Sequence, residues 1–95
     1  MNQVVLTGRL AELQALRYTP AGIPAIGFTI EHHSQQTQAS QVSEVKTTIK
    51  AKAFGALAEQ IGQYALGSQW RFTGFLSSSR NSKSIVLHIQ DLSQE

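Results

Sequence analysis

The chain contains no cysteine. That absence removes disulfides, thiolate nucleophiles and cysteine-ligated zinc together, and it fits a reducing compartment. No apolar run approaches the roughly 18 residues that a membrane-crossing helix needs. The opening MNQVVLTGRL lacks the charged-then-apolar layout of a signal peptide, so a cytoplasmic location is expected. Acids are scarce and scattered, six in all, and no two are spaced as a general acid–base pair. No nucleophile–base–orienter set is legible, and no phosphate-cradling glycine loop precedes a helix. His32 and His33 are adjacent and so face opposite ways on a strand, while His88 is remote; neither a metal site nor any cofactor is expected. A binding protein is expected rather than an enzyme.

What is present is a short chain of ordinary hydrophobicity. Ninety-five residues allow one domain spanning 1–95, and 41% hydrophobic residues is too many for a disordered chain. A core this small is thin, so part of the stability is expected to come from a second subunit in a homodimer. The net charge of +2 is mildly basic and carries little weight until the bases are placed.

Hydrophobic alternation places them. Val4, Leu6, Gly8 and Leu10 alternate with Val5, Thr7 and Arg9, which predicts a first strand with a bulge or bend at Gly8. Leu13 to Tyr18 continues in extended form, and Thr19-Pro20-Ala21-Gly22-Ile23-Pro24 reads as a turn. Ala25 to His33 is the second strand, with Ile26, Phe28 and Ile30 on one face. Ser34 to Gln41 is polar and aperiodic and is expected to be a flexible loop. Ser43 to Phe54 is the third strand: Val45, Thr47, Ile49, Ala51 and Ala53 on one face, Lys46, Thr48, Lys50 and Lys52 on the other. Phe54, Leu57, Ala58, Ile61 and Ala65 then fall on one helical stripe, which Gly62 weakens and Gly67 ends. Gln69 to Leu76 is the fourth strand, Ser77 to Ser82 a loop, and Ile85, Leu87 and Ile89 mark the fifth. Phe28, Phe54 and Phe72 read as core.

Three strands, a helix and two more strands make an all-β chain with one short helix. That is the layout of the five-stranded OB barrel, which binds oligonucleotides on its second and third strands and on the loops after strands one and four. Another small barrel and a split α+β sheet are the alternatives, and the helix position disfavours both.

On that frame Lys46, Lys50 and Lys52 share a face and span about 20 Å, a spacing that could track phosphates along a nucleic-acid strand. The same pattern also describes a solvated strand face. Arg80 and Lys83 lie in the loop between strands four and five, which flanks the same face. Arg17 and Tyr18 precede the proline turn, and Tyr18 offers either a ring for a base to stack on or a packed strand end. Trp70 shares parity with Phe72 and reads as buried in the core or at a subunit contact. Phe75 has the opposite parity, facing a base or a protein partner.

Several segments in order resemble the primosomal replication protein N (PriB) family, close kin of the single-stranded DNA-binding proteins. They are NQVVLTG at the start, GIPAIGFTIEH from Gly22 to His32, Gly67-Ser68 with Gly74-Phe75-Leu76-Ser77, and Ile85-Val86-Leu87-His88. The resemblance covers essentially the whole chain. It implies a homodimeric OB-fold protein that binds single-stranded DNA and the restart helicase, primosomal protein N′, and that helps to reload the replicative helicase. Single-stranded DNA-binding proteins usually add a long Gly- or Gln-rich linker and an acidic tip. This sequence shows neither, which favours the primosomal family. Two departures stand out. The resemblance places an outward aromatic where this chain has Lys46, and more lysines where it has Arg80 and Lys83. A more electrostatic, less stacked contact is therefore expected.

Overall fold

The computed structural model describes residues 1–79 and 83–94 of the chain. Five long strands and one two-residue strand form a single sheet: β1 (Val4–Leu13), β2 (Arg17–Tyr18), β3 (Pro24–Gln38), β4 (Gln41–Phe54), β5 (Gln69–Ser78) and β6 (Ile85–Gln94). The sheet runs β1-β5-β6-β4-β3-β2, and β1 pairs with β3 as well, so the five long strands close on themselves. This is the expected OB barrel. Every pairing is antiparallel except a short parallel one between β4 and β6, Ala51↔Leu87 and Lys52↔His88.

Alternating apolar residues fill the interior. Leu10, Ile26, Phe28, Ile30, Ala51, Ala53, Phe72, Leu87 and Ile89 are buried there, joined by Ala58 and Ile61 of helix α1 (Ala56–Ile61). Phe28 and Phe72 meet at the centre, ring centroids 5.8 Å apart. Burying a side chain of this size is worth about 1.5–3 kcal/mol each, so the odd–even pattern selects one face of every strand.

Four local expectations need correcting. Gly8 is not the bulge. The register shift in β1 lies between Leu10 and Glu12. What Gly8 supplies is close approach, because a Cβ there would come 2.7 Å from the Glu31 carbonyl oxygen. The segment 13–18 is not one extension: β1 ends at Leu13, and only Arg17 and Tyr18 resume pairing, onto β3. Residues 34–41 are not a loop. The β3–β4 ladder continues to Gln38↔Gln41 and turns through Ala39 and Ser40, both at positive φ. Polar alternation there has no buried face to mark it, which is why the period was invisible. The helix is shorter than its stripe predicts: Phe54 still belongs to β4, Gly62 caps the C-terminus, and Ala65 lies beyond it, exposed.

Candidate nucleic-acid interface

Parity along β4 decides what faces outward. Ile49, Ala51 and Ala53 turn into the barrel, so Lys46, Thr48, Lys50, Lys52 and Phe54 turn out. Lys46 and Lys50 are exposed and Lys52 is half-buried. Phe54 was expected in the core. It is instead 46% exposed, because it continues the parity of the lysines and not that of the alanines. A large outward aromatic therefore ends the basic row on β4.

The neighbouring strands leave room beside it. Ala25 lies opposite Phe54 and Gly27 opposite Lys52 on β3, and Arg17 of β2 pairs with Ala25. These small residues form the floor of a depression of about 280 Å³ edged by Arg17, Tyr18, Lys52 and Phe54. The Gln14 side-chain amide fills the space beside Gly27, 2.5 Å from where a Cβ would stand, so a larger residue there would displace that flexible side chain. The turn that aims β2 is fixed by three bonds: Gly22 N donates to Thr19 O (2.8 Å), Thr19 N to Ile23 O (2.9 Å) and Ile23 N to Thr19 Oγ1 (3.2 Å). Gly22 takes φ +82°, which few other residues would adopt. Tyr18 is 62% exposed, so its ring is presented outward and not packed at a strand end.

Around the barrel from Phe54, β6 contributes His88 and β5 contributes Phe75. His88 pairs with Lys52 on one side and Phe75 on the other. The rings form a row: Phe75 and His88 stack at 5.0 Å and 11°, Phe54 and His88 at 6.1 Å and 23°. Burial, and secondarily the Lys52 charge, lower the His88 pKa below its ordinary 6.5. Phe75 thus faces outward, as its parity requires.

Lys46 stands apart from this cluster, towards the β3–β4 hairpin. It pairs with His33 and borders a second hollow of about 690 Å³. Arg9 reaches that hollow too, but its guanidinium is already paired with Glu31. His32 is engaged as well: its Nδ1–H donates to Thr7 O at 2.6 Å and its Nε2 lies 2.8 Å from Ser34 Oγ. Among the described residues no cluster of three or more His, Asp or Glu is placed to hold a metal.

The sequence-based candidates therefore separate into two groups. The structure brings Arg17, Tyr18 and Lys52 together, carries Lys50 on the same face, and leaves Lys46 near the hairpin. Lys83 is exposed between β5 and β6, and Arg80 falls outside the described residues. Trp70 is half-buried on the edge of the core, its indole stacked on Tyr64 at 4.1 Å and its Nε1–H donating to Ser68 Oγ at 2.8 Å. Phe54 and the ring row were missed. Parity alone was enough to find Phe54, whereas the meeting of Phe54, His88 and Phe75 needs the closed sheet.

Four similarities bear on this surface. Residues 2–91 match the family model described as another single-strand binding protein family. The replication restart protein PriB of Bordetella pertussis is 37% identical over 91 residues, covering 95% of this chain and 85% of that protein. The structure of PriB from Ralstonia solanacearum superposes with a TM-score of 0.90 at 30% identity, over 100% of this chain and 98% of that one. A single-stranded DNA-binding protein domain from Synechococcus shares the fold, with a TM-score of 0.75 at 20% identity, over 99% of this chain and 96% of that one.

Proposed function

The chain belongs to the single-strand binding protein family and, within it, to the PriB replication restart proteins, and from that membership we propose that it is a non-catalytic, single-stranded-DNA-binding accessory factor of replication restart. The observation that carries the reading is the outer face of β4, where Lys46, Lys50 and Lys52 run into the exposed ring of Phe54. An extended strand of DNA needs cations at intervals for its phosphates and flat rings for its unpaired bases. The lysine row supplies the first. Phe54, with Tyr18 across the depression, supplies the second. Arg17 and Lys83 extend the positive field, and Arg80 is assigned to it on sequence grounds alone. The outward aromatic that Lys46 displaces is thus matched by another at Phe54, so the contact is both stacked and electrostatic.

A protein partner shares the work in this reading. Leu16 and Ile23 leave apolar surface exposed beside β2, at 38% and 47%. That patch favours contact with the restart helicase, primosomal protein N′, next to the DNA path. The protein acts as a homodimer.

Fluorescence-anisotropy titration of a labelled oligo-dT across salt concentrations tests the DNA reading. If about four phosphates are neutralised, at about 0.7 counterion each, the log–log slope is near −3. Lys46→Ala and Lys83→Ala each make the slope shallower by about 0.7. Tight binding that is indifferent to salt would sink the mechanism. An equal preference for duplex would sink the assignment to single strands. Helicase stimulation that survives loss of DNA binding would make the protein contact the primary activity.

A further inference from the structure

His88 occupies the middle of the outer aromatic row, and nothing in the lysine pattern accounts for a titratable ring there. The sheet fixes its surroundings. β4 presents Lys52 and Phe54 to it, β5 presents Phe75 and Ser77, and its own strand carries no charged residue until Asp91, whose Oδ1 accepts from Leu92 N at 2.8 Å. Among the described residues no carboxylate pairs with it. Two influences oppose a proton on this ring: removal from water and the Lys52 ammonium. The burial stays when DNA lies over the row, but a ligand can lift the repulsion. The Phe75 and Phe54 ring faces carry partial negative charge and favour a cation stacked against them. A phosphodiester chain laid along β4 would engage Lys52 and cancel its repulsion.

We propose that His88 is a proton-linked contact for the phosphodiester backbone, neutral in the free protein and charged once nucleic acid covers the Phe54–His88–Phe75 row. This rests on the reading that single-stranded DNA lies on that face. The sign follows from linkage. If the complex holds one more proton than the free partners, affinity rises as pH falls, and DNA raises the His88 pKa by the factor with which the proton tightens DNA. The DNA phosphodiesters do not titrate in this range, so the proton must be taken up by the protein. His33 is the competing histidine, since it also lies on the outer face and its Nε2 is 4.0 Å from Glu44 Oε2.

The test uses the intact protein and oligo-dT. Anisotropy titrations at pH 5.5 and 8.0 should show binding about fivefold tighter at the lower pH, at the lower end of the range for coupled sites. The salt slope should steepen there by about 0.7, one extra phosphate contact. His88→Gln abolishes this pH dependence and His33→Gln retains it. The imidazole C–H resonance of His88, followed by NMR in the wild-type protein, should titrate at higher pH with DNA bound than without, a readout that needs no variant. A pH dependence that persists in His88→Gln, or a resonance that titrates identically free and bound, overturns the proposal. Binding that ignores pH overturns it while leaving the DNA reading intact. No binding at either pH removes both.

Discussion

Phe54 separates two ways of reading a residue. By hydrophobicity it belongs inside; by position it follows Lys46, Lys50 and Lys52 outward, and the structure follows position. A side chain nearly half in solvent contributes modestly to stability, so its size needs another explanation, and base stacking is one. Phe54→Ala should weaken oligo-dT binding by about 1–3 kcal/mol. The melting temperature should fall little, because so much of the ring is already hydrated. Phe72→Ala gives the contrasting result, since Phe72 is 0% exposed. Its loss should cost about 3–5 kcal/mol of stability by chemical denaturation. Equal destabilisation by the two variants would place Phe54 back among the structural residues. The lysines themselves were legible from sequence, because even positions on one strand share a face whatever the fold. His88 was not. Its role depends on which strands flank β6, and those contacts link residues far apart in the chain.

At the scale of elements, the long β3–β4 hairpin shows what a hydrophobic pattern can and cannot reveal. Between Ala25 and His33 the alternation of Ile26, Phe28 and Ile30 marks a strand because one face is buried. Beyond it the strand continues with both faces in water, so polar residues occupy every position and the period disappears. The reversal itself occurs at Ala39 (φ 53°) and Ser40 (φ 64°), neither of them the asparagine or glycine that such a two-residue turn favours. Positive φ costs an ordinary residue about 1–2 kcal/mol. The double variant Ala39→Asn with Ser40→Gly should therefore stabilise the protein by about 1 kcal/mol, read as a rise in melting temperature. An unchanged or lower melting temperature would mean that the turn geometry is set by more than local preference. The small strand β2 makes a related point. Its two residues have no periodicity to find, and only the hydrogen-bonded turn at Thr19–Ile23 explains how Arg17 and Tyr18 come to stand beside β3.

For the whole molecule, the order of strands and helix was readable, and so was the barrel. Closure was the part that sequence left implicit. It joins β1 to both β3 and β5 and sets β6 against β4, and only then do Arg17, Lys52, Phe54 and His88 become one surface. The central claim is that single-stranded DNA crosses this outer surface, on the side defined by β4. Amide chemical-shift mapping by NMR, with a short oligo-dT titrated into the isotope-labelled protein, addresses it residue by residue. The account predicts that the largest changes fall on Arg17, Tyr18, Lys50, Lys52, Phe54, Phe75 and His88, while α1 and Trp70 stay nearly still. Changes centred on α1 and Trp70, with the β4 row unmoved, would contradict it.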